Sequence, residues 1–172
     1  MEKLLQIHNM TKIFGEGTIN EKTAISDLTL ELSDGDFVTV IGNNGAGKST
    51  LLNAIAGVFP VDRGNIILDG NDITKLPEYK RARYMGRVFQ DPLKGTAFDM
   101  TIEENLAIAA AKNKPRGLQP GITKADRQAF RERLAVLGMG LEDKMTQKVK
   151  LLSGGQRQAL TLFMAVIADP KV

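Results

Sequence analysis

The sequence contains no cysteine. That excludes disulfides, thiolate catalysis and cysteine-ligated metals together, and fits a cytosolic chain. It contains one histidine, His8, with no cluster of Cys, Asp or Glu beside it; His8 reads as a surface or edge residue without chemistry. Charge of one sign is also scarce: 23 Lys and Arg stand against 20 Asp and Glu, a formal net charge of +3. The pI of about 9.2 overstates that excess, because almost nothing titrates between the carboxylates and the lysines. With no basic patch, no nucleic-acid partner is expected. Long apolar runs are missing too. The N-terminal MEKLLQIHNMTK is too weakly apolar for a signal peptide. Residues 160–168, interrupted by Thr161, are too short to cross a bilayer. A soluble chain is expected, with any membrane role supplied by a partner. What is present is an ordinary globular composition, 42% hydrophobic and 25% charged over 172 residues. That makes one domain, or a core with one subdomain, able to bury a substantial interior.

One stretch organises the rest: Gly42-Asn43-Asn44-Gly45-Ala46-Gly47-Lys48-Ser49-Thr50. It fits the phosphate-loop pattern G-x-x-x-x-G-K-[ST] at Gly42, Gly47, Lys48 and Ser49. Upstream, residues 36–41 (DFVTVI) are β-branched and apolar and predict a buried strand. Downstream, Leu51, Leu52, Ile55 and Ala56 predict a helix that Gly57 stops. Glycines let successive backbone N–H groups converge on a β-phosphate. The helix start adds free amides and the positive end of its dipole. Lys48 carries a mobile ammonium to the β- and γ-phosphates, and the Ser49 hydroxyl can take one Mg²⁺ position. A glycine-rich turn holding a chance lysine would match neither the fixed positions nor both flanks. The chain is expected to bind a nucleoside triphosphate.

Elsewhere, residues 4–7 and 24–32 predict two strands joined by a polar loop over 15–22, with Phe14 at its base. From the residues alone, an aromatic there is ordinary core packing. Residues 61–64 predict a turn, 65–68 a strand, and Asp69-Gly70 a hairpin turn. A short helix over 77–84 starts with proline in its first turn, and 87–89 form a brief strand ending at Gln90. The texture then changes to helices. Thr101 and Glu104 form a capping box opening a helix to about Ala111, and residues 112–121 make a basic, Pro/Gly-containing loop. Thr123 opens another helix whose Phe130, Leu134 and Leu137 share a face, ended by Gly138 and Gly140. An α/β core carrying a helical subdomain follows. The divisions are 1–90 for the core, 91–152 for the subdomain, and 153–172 for a helix leading onward.

That last helix opens with Leu152-Ser153-Gly154-Gly155-Gln156. Alone, this is a helix cap with two glycines exposing N–H groups to an anion. Together with the phosphate loop, LSGGQ closely resembles the signature of ATP-binding-cassette (ABC) ATPases, and the resemblance covers essentially the whole chain. It implies a P-loop fold of ABC type with a helical signature subdomain, and ATP with Mg²⁺ as ligands. It also implies that Phe14 stacks on adenine, against the packing reading above. Gln90 stands where the family's glutamine reaches Mg²⁺ and the attacking water. Residues 91–100 stand where the family meets the coupling helix of its transmembrane permease subunit. Ser153, Gly154, Gly155 and Gln156 stand where the family contacts the γ-phosphate of ATP held by the other monomer. That implies a head-to-tail homodimer or heterodimer around two ATP, on the inner face of the membrane.

The departures from the family pattern matter as much. The family follows its signature helix with an apolar strand ending in Asp-Glu, and later a histidine. Here Ala168-Asp169-Pro170-Lys171-Val172 stands where that strand would begin, so part of the core is expected to be missing and the 172 residues to be inactive. The signature helix is also more apolar than usual, with Ala159 and Phe163-Met164-Ala165-Val166. The expected function is the energy subunit of a multi-subunit ABC transporter, of bacterial importer type. The alternatives are a non-transport ABC ATPase of translation or DNA maintenance, and a non-catalytic ATP-binding module.

Overall fold

The computed structural model describes residues 3–89, 91–113 and 120–172. They form two units: one runs to Ala82 and takes in Lys171, the other runs from Arg83 to Pro170 and takes in Val172.

The first unit is built on an antiparallel sheet in the order β2-β1-β3-β4, from β1 (Lys3–Phe14), β2 (Lys22–Ser33), β3 (Arg63–Leu68) and β4 (Asn71–Asp72). Period-two alternation buries Leu5 and Ile7 of β1 against Ile66 and Leu68 of β3. Full burial of each such side chain contributes roughly 1.5–3 kcal/mol. At Asn9 the parity changes. Its φ of 48° and the register shift between Ile7 and Met10 mark a bulge. The buried positions of β1 move from odd numbers to even ones, to Met10 and Lys12. Asn9 donates through Nδ2 to Asp27 Oδ1 at 2.8 Å across the bulge. Gly64 on the other side of β1 permits it, since a Cβ there would lie 2.3 Å from the His8 carbonyl oxygen. His8 itself is a half-buried position of β1, paired with Asn65 of β3. Since β1 lies between β2 and β3, the expected surface or edge position is corrected to an interior strand. Positive φ at Asp69 and Gly70 makes the predicted tight turn into β4.

Helix α1 (Lys48–Ala56) follows the phosphate loop, and a residue absent from the sequence argument locks its far end. Arg81, 2% exposed, donates to the carbonyls of Ala54 (2.8 Å), Ile55 (2.9 Å), Leu76 (2.8 Å) and Thr74 (2.7 Å). Its charge sits at the negative end of the α1 dipole and satisfies carbonyls the helix leaves open. Burial lowers its pKa, opposed by the nearby Asp72 charge.

The second unit packs α3 (Ile102–Ala110), α4 (Lys124–Ala135) and α5 (Gly154–Val166) around Ile102, Leu106, Phe130, Leu134, Leu160 and Phe163. All three helices open with a complete capping box, at Thr101/Glu104, Thr123/Asp126 and Ser153/Gln156. Leu137 packs at the edge of this core, on the face predicted for α4. Glu103, 7% exposed, accepts a bidentate pair from Arg127 at 2.7 and 2.9 Å, tying α3 to α4.

Three expectations are corrected. Residues 36–41 form no ladder with any strand among the described residues, and Phe37 and Ile41 are 93% and 91% exposed. Their pattern suits a buried strand, but a strand exists only where a neighbour takes its N–H and C=O groups. Residues 87–89 are likewise extended without a partner strand. The predicted helix over 77–84 is a single turn, α2 (Glu78–Arg81), with Pro77 at its N-cap. Part of the 112–121 loop, residues 114–119, lies outside the described residues.

Candidate nucleotide-binding site

The phosphate loop is a cradle held open by backbone geometry. Gly47, the N-cap of α1, has φ 88° and ψ 0°. A Cβ on it would lie 2.6 Å from the Ala24 carbonyl oxygen of β2, so only glycine passes between loop and strand. The turn closes through the Ala46 amide donating to Asn43 O at 3.1 Å, and α1 begins with the Leu51 amide donating to Gly47 O at 2.8 Å. No side chain caps α1. The amides of its first turn therefore have no side-chain partner at the helix's positive end. Lys48 folds back across the loop, and its Nζ donates to the carbonyls of Gly42 at 2.7 Å and Asn43 at 2.8 Å. Asn44, Gly45 and Ala46 are exposed at the rim, as is Ser49, while Thr50 is half-buried.

An ammonium parked on neutral carbonyls beside uncapped amides is chemically poised for an anion with several oxygens. The ammonium's bonds to the carbonyls are charge-assisted on the donor side only, and phosphate oxygens would add the opposite charge on the acceptor side. For Mg²⁺ the donor set also fits. No group of three His, Cys, Asp or Glu among the described residues could hold a metal by itself. Mg²⁺ prefers one or two protein oxygens completed by phosphate and water. The Ser49 hydroxyl in the first turn of α1 is such an oxygen. Gln90, the other predicted ligand, lies outside the described residues.

Phe14 ends β1, pairing with Lys22 of β2, two residues from the Ala24 carbonyl that bounds Gly47. The aromatic and the phosphate loop thus sit on the same strand pair. At 38% exposure Phe14 is not core packing. Its ring meets Phe59 edge-on, with centroids 5.3 Å apart and an interplanar angle of 80°. The Lys12 ammonium lies 5.4 Å from the Phe14 centroid and 5.5 Å from that of Phe59. Lys12 also pairs with Asp62 at 3.0 Å, and Asp62 accepts from the Ile13 amide at 2.6 Å. Burial alone would raise the Asp62 carboxyl; the Ile13 amide and the Lys12 ammonium hold it below the ordinary range. Sequence reasoning missed Lys12, Phe59 and Asp62. The available signal was a lysine two residues before an aromatic, but its partners lie across α1 in sequence.

Ser153 to Gln156 lie in the second unit. Ser153 caps α5, accepting from the Gln156 amide, and its own amide donates to Gln156 Oε1, both at 3.3 Å. Gln156 Nε2 donates to Met139 O at 3.1 Å, and Arg157 Nη2 to Leu152 O at 2.9 Å, with its guanidinium 4.6 Å from the Phe98 centroid. These contacts hold the turn from behind. Its front is open: Ser153, Gly154 and Gly155 are exposed, and nothing stands within 4 Å of a Cβ built on Gly154.

The chain is similar to known proteins over nearly its whole length. The family described as ABC transporter matches residues 25–172. The tyrosine transport ATP-binding protein of Clostridioides difficile (strain R20291) is 42% identical over 169 residues, covering 98% of this chain and 67% of that protein. The spermidine/putrescine import ATP-binding protein PotA of Aggregatibacter actinomycetemcomitans is 37% identical, covering 98% of this chain and 41% of that protein. Among solved structures, the dimeric post-hydrolysis state of the ATP-binding cassette MJ0796 bound to ADP and Pi aligns with a TM-score of 0.75 and 26% identity, covering 97% of this chain and 71% of that one. The chain thus spans from 41% to 67% of the two curated relatives' lengths. A match that runs through both glycine motifs, on the α/β fold those motifs require, leaves one conclusion: this chain belongs to the ABC transporter family of ATP-binding proteins.

Proposed function

We propose that the chain is the ATP-binding part of the energy subunit of a multi-subunit ABC transporter of importer type, a subunit that as a whole hydrolyses ATP. The observation that carries the reading is the cradle itself, with Lys48 resting on Gly42 O and Asn43 O beside the uncapped start of α1. Relatives named for tyrosine transport and for spermidine/putrescine import support the transporter assignment. No helix among the described residues is long and apolar enough to cross a membrane; on this reading the working place is the cytoplasmic face, beside a separate permease.

Each residue has a task. Phe14 stacks on the adenine, and the amides of residues 43–50 wrap the β-phosphate. Lys48 leaves its two carbonyls for the β- and γ-phosphate oxygens, an exchange driven by the negative charge those oxygens carry and the carbonyls lack. Ser49, with Gln90, would hold Mg²⁺, which supplies positive charge against the negative charge on the transferred phosphoryl group. Gln90 would orient the attacking water. Ser153, Gly154, Gly155 and Gln156 present an open, pre-capped helix start to the γ-phosphate on a partner subunit. The ATP-binding cassette MJ0796 is dimeric in its post-hydrolysis state; in this reading a head-to-tail dimer would hold two ATP between two copies or two related subunits. Residues 1–90 would serve as the nucleotide core and 91–152 as the helical subdomain. Residues 153–172 would be the signature helix, with the segment after Gln90 meeting the permease. Closure on ATP and opening after hydrolysis then bias the permease between two states.

The deciding test is titration of a fluorescent ATP analogue against the parent and Lys48→Ala. Loss of a charge-assisted phosphate contact should cost about 2–4 kcal/mol of binding or transition-state stabilisation. Equal affinity would end the assignment. A companion measurement concerns chemistry. Residues 168–172 carry no strand ending in Asp-Glu, so the 172-residue polypeptide should bind ATP but release phosphate only at background. Turnover abolished by Lys48→Ala would refute that.

A further inference from the structure

The turn between α1 and β3 is strapped to the end of β1 just where β1 and β3 pair, at Thr11 and Arg63. Asp62 is the hub. Its amide donates to Thr11 O at 3.0 Å. One carboxylate oxygen accepts from the Ile13 amide at 2.6 Å, and the other from Lys12 Nζ at 3.0 Å. The residues tied are the three that lead into Phe14. Three residues before Asp62, Phe59 sets its ring at 80° to that of Phe14. The Lys12 ammonium, 7% exposed as a residue, lies 5.4 and 5.5 Å from the two centroids. A phenylalanine at the end of a strand ordinarily loses rotamer freedom when it must present a face to a ligand. Here that freedom is already restricted. An edge-on ring and an ammonium restrain Phe14, and both come from or are anchored to the segment that continues α1. Because α1 begins at the phosphate loop, one nine-residue helix connects the phosphate cradle to the support of the ring.

We propose that Phe59 and Asp62 are positioning residues of the nucleotide base site: Phe59 orients the Phe14 ring, and Asp62 clasps Lys12 and the Phe14-proximal backbone so that the ring is held ready for an adenine. The inference rests on the ATP-binding reading above and goes beyond it, naming residues that touch no nucleotide yet set the strength of base recognition. Rigid presentation lowers the ordering cost paid on binding. Its effect is therefore confined to ligands that carry a base.

The test measures affinity of the full chain for ATP and for inorganic triphosphate by calorimetry. The variants are Phe14→Ala, Phe59→Leu, Asp62→Asn, and Phe14→Ala combined with Phe59→Leu. Leucine keeps apolar bulk at position 59 while removing the ring edge, and a thermal melt of each variant verifies that folded proteins are compared. Phe59→Leu should weaken ATP by roughly 3- to 10-fold, the range of one aromatic pair, and leave triphosphate within about twofold. Asp62→Asn should show the same selective loss, smaller in size. With Phe14 already removed, Phe59→Leu should have no further effect on ATP, the non-additivity expected of residues acting through one another. Equal weakening of both ligands, unchanged ATP affinity, or additive losses in the double variant would each overturn the proposal. A parent chain that binds neither ligand would instead sink the nucleotide reading, and this inference with it.

Discussion

Two helices in this molecule begin among glycine and serine residues, and they solve the same problem in opposite ways. Helix α1 starts at Gly47 with no side-chain cap, and its nearest cation, Lys48, is occupied with carbonyls of its own loop. Helix α5 starts at Ser153 with a complete capping box, and Gln156 is further tied to Met139 O. The orphan amides of a helix start must find acceptors. In α5 the protein supplies one itself; in α1 it supplies none from a side chain, leaving that place for a ligand. On the proposed reading, the uncapped start of α1 is the primary phosphate site and the capped start of α5 a surface that would meet a phosphate held by another subunit.

The strongest way to break the α1 arrangement is Gly47→Ala. The left-handed backbone and the 2.6 Å approach to Ala24 O should together cost about 2–3 kcal/mol. Nucleotide affinity should fall as well, because the loop cannot keep both the turn and its place against β2. Chemical denaturation alongside ATP titration measures both, and an alanine variant with parental stability would contradict the close-packing argument.

Serine substitutions sharpen the comparison at a smaller scale. Ser153→Ala removes a cap and should cost about 1 kcal/mol of stability, with ATP affinity of the isolated chain unchanged. Ser49→Ala removes no cap, so stability should stay within about 0.5 kcal/mol while affinity for Mg·ATP drops. If the two variants exchanged these phenotypes, the distinction between the helices would be wrong.

The smallest expected effect is one of pH. Helix α3 closes its capping box with Glu104, whereas α5 uses the uncharged Gln156. The Thr101 amide and hydroxyl hold Glu104 below the ordinary carboxylate range. A depressed folded-state value means that the stabilisation is present above the unfolded value and is lost as pH falls through the folded one. Thermal midpoints measured from about pH 7 down to about pH 3 should therefore decline, less steeply in Glu104→Gln. The same substitution should lower the midpoint at neutral pH. An unchanged acid limb in the variant would show that the α3 cap does not titrate as argued.

Much of the second unit was legible along the chain, because its signals are local. Thr101 with Glu104, Thr123 with Asp126, and Ser153 with Gln156 each lie three residues apart, and a capping box is complete within one turn. The 3.6-residue spacing of Phe130 and Leu134 likewise announces a buried face that needs no distant partner to be recognised. The phosphate loop belongs to the same class. Its pattern, with a lysine directly after Gly47, is contiguous, so the family was legible in the sequence itself.

The tertiary structure alone decided what depends on residues far apart. The pattern of residues 36–41 names a strand, yet a ladder is a relation between two segments, and no strand among the described residues takes this one. Nothing in the order of residues joins Asp62 to Lys12 and Ile13, or sets Phe59 against Phe14, or carries Arg81 to the carbonyls of Ala54 and Ile55. Local pattern specifies which groups a segment must satisfy. Which distant atoms satisfy them is settled only when the folded chain brings donors to acceptors.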